Sequence, residues 1–301
     1  MKKLRLLLLA ALVMTAACAK NTGRTLPDRG GGMVTISGPV NRIISTAPSN
    51  TEIIVDLGLA DKLVAIDRWS VDVAGVPGGI PTLDFFYPDA EVIVGLEPDL
   101  ILANGHNATG TSEDPFRLLR EMGIPVAYIS MSKSINDIYG DISFVADILQ
   151  SPEKGGALIA SMKAQVDEIA RAAQAIERRK SVYFEISAAP DVFTFGKDSY
   201  LNDMISVIGA ENIFGNENWI ISPSAEAIID RNPDVILTNV DYIDDPVGEL
   251  KSRPGFDHIN AVINNCIYRI DTNSSVRPSA RIIFALRQMA RAVYPEVYGE
   301  Q

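Results

Sequence analysis

The sequence predicts an α/β protein: two Rossmann-like lobes with mainly parallel sheets, joined by one long rigid α-helix. Three observations carry this expectation. Between residues 152 and 180, Ile159, Met162, Val166, Ile169, Ala173 and Ile176 recur at alternating spacings of three and four, while Lys163, Asp167, Glu168, Arg171, Glu177 and Arg178 take the other face. That is the pattern of a single amphipathic helix, which at about 1.5 Å per residue spans roughly 40 Å. On both sides of it, short apolar runs alternate with helical periodicity, the rhythm of parallel α/β architecture. Finally, residues 88–104 align without a gap on residues 223–239, and Pro88, Ala90, Glu91, Ile93, Pro98, Asp99, Ile101, Leu102 and Asn104 all meet identical partners.

Taken in order, residues 1–18 carry targeting information. Lys2, Lys3 and Arg5 form a basic start, residues 6–13 an apolar core, and Thr15-Ala16-Ala17-Cys18 a small-residue cleavage site. The segment resembles a bacterial lipoprotein signal, in which Cys18 becomes the lipidated N-terminus. Thr15 stands where leucine is more usual, and the alternative is an ordinary signal peptide with an incidental cysteine. The apolar run is too short to span a bilayer. Residues 19–32, with Gly30-Gly31-Gly32, read as a flexible tether.

The N-terminal lobe is expected over residues 33–150. Apolar runs at 34–37 and 42–45 precede Ser49 and Glu52, whose spacing is that of a capping box opening a short helix that Gly58 closes. A strand at 63–66 ends in Asp67-Arg68-Trp69, and residues 76–81 form a turn-rich connection. A helix at 90–96, a strand at 100–103, a helix at 115–122, a strand at 126–129 and a helix at 135–149 complete the lobe. The linker helix takes residues 151–180. In the C-terminal lobe, residues 181–301, strands at 181–186, 235–238 and 267–270 alternate with helices at 201–208, 225–230 and 279–292.

Composition narrows the function classes. A net charge of -11 offers no basic stripe to neutralise phosphates, which argues against nucleic-acid binding. With Cys18 lipidated, Cys266 is left alone; it forms no internal disulfide and reads as a small buried hydrophobe. The two histidines, His106 and His258, fall in different lobes, too few for direct capture of zinc or manganese. No phosphate loop or locally supported nucleophile and base argue for an enzyme. A structural adhesin or scaffold is a third class, distinguished by the absence of an accessible cleft. No cofactor and no bound metal are expected.

Further motifs carry a resemblance. Arg42-Ile43-Ile44-Ser45 is followed by Pro48-Ser49-Asn50-Thr51-Glu52, and Leu96-Glu97-Pro98-Asp99-Leu100-Ile101 is echoed by Asn232-Pro233-Asp234-Val235-Ile236. Phe195-Gly196-Lys197, Gly209-Ala210-Glu211-Asn212-Ile213-Phe214 and Arg277-Pro278-Ser279-Ala280-Arg281 complete the set. In order and spacing these resemble the substrate-binding proteins of bacterial ABC importers, in the helical-backbone class that serves ferric siderophores, haem and cobalamin. The resemblance implies a lipid-tethered, monomeric receptor in the cell envelope, facing the periplasm or exterior, that hands its ligand to a permease dimer. It also implies a docking role for Glu91 and Glu226, met by permease arginines, because charge-assisted pairing needs a carboxylate and a pseudo-symmetric pair suits a two-subunit partner. For each glutamate singly, a first-turn carboxylate favoured by the helix dipole is the competing explanation. Glu52 is assigned to capping.

The ligand is expected between the lobes, at loops after strand carboxyl ends. Candidates are Trp69, Phe85, Phe86, Asn104, His106, Lys197, Trp219 and Arg277. An iron chelate, either a ferric siderophore or haem, is the first expectation and cobalamin the alternative. The few basic residues are thin for a highly charged catecholate complex, and His106, with Tyr87 as second choice, is the candidate axial ligand for haem. A helical linker also predicts that the lobes move little on binding.

Overall fold

The computed structural model describes residues 23–105 and 114–299. The expected lipoprotein signal, including Cys18, and His106 lie outside these. The first described element corrects the expected tether. β1 (Arg24–Pro27) pairs antiparallel with β2 (Met33–Ile36), Leu26 opposite Val34. The glycines serve its turn: Gly31 has φ +89°, the Gly32 amide donates to Asp28 Oδ1 at 2.6 Å, and the Gly30 amide donates to the Tyr128 carbonyl at 3.1 Å. A Cβ on Gly30 would lie 2.7 Å from Tyr128 Cβ, so glycine is there for close packing as well as for the turn. Arg29 fixes the hairpin by pairing with the buried Asp141 at 2.7 Å.

The N-terminal sheet is parallel throughout, in the order β5 (Thr82–Leu83), β4 (Leu63–Asp67), β3 (Ile43–Ser45), β6 (Leu100–Asn104), β7 (Val126–Ile129). Its central strands are buried on both faces, which is why they read as continuous apolar runs rather than alternating ones. The C-terminal lobe repeats the plan with β10 (Glu211–Asn212), β8 (Ser181–Glu185), β12 (Val235–Thr238) and β13 (Ile267–Arg269), again all parallel. A short antiparallel ribbon, β9 (Thr194–Phe195) with β11 (Ile220–Ile221), lies beside it. The internal repeat is visible in space: β6 lies between β3 and β7, and β12 between β8 and β13.

The spine helix runs over Pro152–Ala172, with Pro152 at its start where a missing amide costs nothing. It tightens into a 3₁₀ turn at Ala173–Ala175 and ends there rather than at 180. Ile176 turns extended and packs against Gly209, where a Cβ would lie 2.6 Å from Ile176 Cδ1. Gly155, Met162 and Ile169, seven residues apart, form the buried seam. Gly155 lets the spine press on the preceding helix (Ile135–Ile148), since an added Cβ would lie 2.4 Å from Ala146 Cβ. Ile54, Met162, Ile169, Met204 and Met289 belong to one continuous apolar cluster, so the lobes and spine share a core.

One local expectation fails. The short helix is Pro48–Asp56, its N-cap is Ala47 without a side-chain cap, and Ser49 and Glu52 form no capping box. Pro48 presets the first turn, so the helix begins ahead of Ser49 and rotates Glu52 inward, to 2% exposure.

Candidate functional site

The carboxyl ends of the strands from both sheets converge on one cleft between the lobes, with a cavity of about 550 Å³. The N-terminal lobe contributes Ala47, Pro48 and Ser49 after β3, Trp69 after β4, Asn104 at the end of β6, and Met131 and Ser132 after β7. From the C-terminal lobe come Ile186 after β8, Phe195 of β9, Trp219 and Ile220, Asp241 beyond β12, and the segment carrying Thr272, Asn273 and Arg277. A second cavity of about 450 Å³, touching Lys180, Asp234 and Cys266, lies at the opposite ends of the C-terminal strands. Open α/β sheets bind ligands at the carboxyl ends, which singles out the interlobe cleft.

Two tryptophans face one another's lobes across it, each held by backbone. The Trp69 amide donates to Asp67 Oδ2 at 2.9 Å, the Arg68 guanidinium lies 4.1 Å over the ring centroid, and Phe86 meets the ring edge-on at 6.0 Å. Burial raises the Asp67 carboxyl above its ordinary value, against the Ser70 hydroxyl and the Trp69 amide. Trp219 sits in the left-handed region, φ +56°, a conformation a bulky residue adopts only when its surroundings hold it there. The restraint is a pair of backbone bonds: Gly196 donates to the Trp219 carbonyl at 2.7 Å, and Trp219 donates to the Lys197 carbonyl at 3.0 Å. Gly196 is required for this approach, since a Cβ would lie 2.1 Å from the Glu217 carbonyl oxygen.

Beneath the cavity, donors of the C-terminal lobe meet acceptors of the N-terminal one. Arg277, 7% exposed, donates from Nη1 to Glu52 Oε1 at 3.2 Å. From Nη2 it donates to Asp72 at 2.8 and 3.1 Å and to the Trp69 carbonyl at 3.1 Å. Asn273 donates to Asp72 at 2.7 Å, the Ser279 hydroxyl to Glu52 Oε2 at 2.5 Å, and Arg281 reaches Glu52 at 3.4 Å. Burial pushes the Glu52 carboxyl up, and Ser279, then Arg277, oppose it.

Of the sequence candidates, Trp69, Asn104, Trp219 and Arg277 line the cavity. Arg277 does so with its charge already committed. Phe86 backs Trp69 rather than forming the wall. Phe85 is a correction: it is 2% exposed and packs on Phe116, because its ring is taken up by the apolar core on that face of the N-terminal sheet. Lys197 is a second: its side chain is exposed and off the cavity, and its backbone holds Trp219. Glu52 is the third, an interlobe anchor rather than a cap. Ser49, Ser132, Asp241, Thr272 and Asn273 escaped sequence reasoning, although each lies near a strand's carboxyl end, the signal that found Trp69 and Asn104.

Glu91 and Glu226 are both exposed in the first turn of equivalent helices, Ala90–Gly95 and Ala225–Arg231. Asp89 caps one and Ser224 the other. The Glu226 backbone amide, then the Ser224 hydroxyl, hold the Glu226 carboxyl below its usual range.

Two α/β lobes on a helical spine, closing on an aromatic cleft, define a bilobed solute receptor. The chain belongs to the periplasmic binding protein family, whose model matches residues 43–273. It is 30% identical to the uncharacterized ABC transporter substrate-binding lipoprotein YvrC of Bacillus subtilis, over 97% of both chains. It is 27% identical to the vitamin B12-binding protein of Vibrio campbellii, over 84% of this chain and 89% of that one. A crystal structure described as a possible iron-binding (periplasmic solute-binding) protein from Staphylococcus epidermidis superposes with a TM-score of 0.77 at 30% identity, covering 85% of this chain and 100% of that one. The protein is therefore the substrate-binding component of an ABC importer, working in the periplasm or outside the cell, and not an enzyme. No helix among the described residues is long and apolar enough to cross a membrane.

Removing one side of the interlobe cluster tests its role. Glu52→Ala removes the more buried of the two carboxylates that hold Arg277 and leaves the Ser279 hydroxyl without its acceptor, and is expected to cost about 2–3 kcal/mol. Urea denaturation reads this directly, and a loss below about 1 kcal/mol, the range of surface ion pairs, would show that the pair is solvated in solution.

Proposed function

We propose that the ligand is a corrinoid, captured in the interlobe cleft and delivered to the permease. The observation that carries this reading is the charge of the cavity. Arg277 is the one basic side chain among its described lining residues, and it is held between two carboxylates, Glu52 and Asp72. Asp241 adds a negative charge on the other wall. A strongly anionic catecholate complex, or the propionates of haem, find no uncommitted cation among the described residues that line the cavity. A large ligand of low charge finds two indole faces and a rim of neutral hydrogen-bonding groups, Ser49, Asn104, Ser132 and Thr272. The kinship with vitamin B12-binding proteins supports the same ligand. Corrinoids exceed the cavity in size and would project from its mouth, where Trp69 is exposed. A ferric hydroxamate of low charge is the second reading, favoured by the same neutral lining.

The rest of the receptor's working follows from its ends and faces. Cys18 carries the lipid that keeps the mature protein at the membrane, as a lipoprotein relative supports. It works as a monomer whose Glu91 and Glu226 meet arginines of two permease subunits.

The chain has two tryptophans, both on the cavity wall, so tryptophan emission, excited selectively over tyrosine, reports on the cleft. Cyanocobalamin is expected to quench it saturably at sub-micromolar concentration, with calorimetry confirming the stoichiometry. Saturation by a ferric hydroxamate or haemin but not by cyanocobalamin would overturn the corrinoid reading. For docking, the Glu91→Lys/Glu226→Lys double variant is expected to abolish uptake by cells while retaining ligand affinity; lost affinity would place these carboxylates in the binding reaction instead.

A further inference from the structure

We propose that Asp72 sets the charge selectivity of the cleft by withholding Arg277, and Asn273 with it, from the ligand. This rests on the interlobe cleft being the ligand site, and not on which ligand fills it. Asp72 does not itself line the cavity; it lies behind two residues that do. Both of its oxygens accept from Arg277 Nη2, and one also accepts from Asn273 Nδ2. The donors best placed to grip an anion at the cavity floor are thus turned toward the protein.

The electrostatics point the same way. One guanidinium stands between Glu52 and Asp72, so an anion approaching Arg277 meets two carboxylates beside one cation. Arg281, the next cation, is shared with Glu52 and also acts on Asp56. On the far wall Asp241 has the same sign as Asp72. Arg68, at the Trp69 face, is drawn to Asp84 at 3.8 Å. Glu52 is buried and bonded by Ser279 as well, so its position is fixed by folding. Asp72 has a half-exposed side chain and is the partner whose charge can be changed with least damage to the fold. A floor built this way rejects anionic chelates and admits neutral or cationic ligands. The selectivity comes from a neutralised arginine rather than from a missing one.

The test uses the mature protein and two probes of nearly the same shape: 8-anilino-1-naphthalenesulfonate, which is anionic, and N-phenyl-1-naphthylamine, which is uncharged. The readout is the ratio of their affinities, measured from probe emission excited through Trp69 and Trp219. Asp72→Asn is expected to shift this ratio toward the anion by about three- to tenfold, the effect of removing one unit charge several ångströms away at an effective dielectric near that of a wet surface. The shift should shrink sharply at 1 M salt, where the screening length falls to about 3 Å. Asp72→Glu should restore the wild-type ratio, and Asp72→Ser should reproduce the shift if the asparagine variant fails to fold. An unchanged ratio, or an equal loss of both probes, would overturn the proposal and leave Asp72 as a structural clamp. Binding of neither probe to any form would instead remove the accessible cleft on which the proposal stands.

Discussion

The structure depends on a buried ion pair between residues 225 positions apart in the chain, Arg277 of one lobe and Glu52 of the other. Bringing two charges out of water costs more than most pairs return, so such a contact is a poor source of stability. What it supplies is geometry. Ser279 and Arg281 complete the bonds to Glu52, Asp72 and the Trp69 carbonyl complete those to Arg277, and each of these contacts crosses between the lobes. A sliding or twisting of the lobes would break several at once and leave buried charge unpaired.

This clasp acts together with the spine. The helix over Pro152–Ala172 joins the lobes along one side, through the seam of Gly155, Met162 and Ile169 and the common apolar core. The clasp joins them at the floor of the cleft. Between these two attachments lie the strand ends that present Trp69 and Trp219. One indole is held by Asp67 and by Arg277, and the other by a backbone ladder that only Gly196 permits. The same arginine that fixes the lobes therefore also fixes one aromatic wall and determines the charge the ligand meets.

The sequence made some of this legible and hid the rest for identifiable reasons. Parallel sheets, the start of the spine and the paired positions of Glu91 and Glu226 followed from periodicity and from the internal repeat, which are local or directly comparable signals. Trp69, Asn104, Trp219 and Arg277 were expected at the cleft from their places beside strand carboxyl ends and the second repeat helix, and all four line its cavity. Glu52 was misread because Ser-x-x-Glu satisfies a local capping rule, while its true partners lie in the other lobe, beyond reach of any local pattern. Phe85 and Phe86 were indistinguishable for a related reason: only packing against Phe116 decides which of two neighbours turns inward. The glycine run at 30–32 looked like a tether because its constraint, the Tyr128 backbone and ring, sits about a hundred residues away.

The central claim is that spine and clasp together hold the lobes at a nearly constant separation. Spin labels at Val92→Cys and Ala225→Cys, exposed positions beside Glu91 and Glu226, measure it directly in a Cys266→Ser background. The account predicts one narrow distance distribution that moves by less than about 2 Å on saturation with ligand, the range of pre-organised binding. A broad distribution in the free protein, or a ligand-induced shift well beyond that, would contradict it.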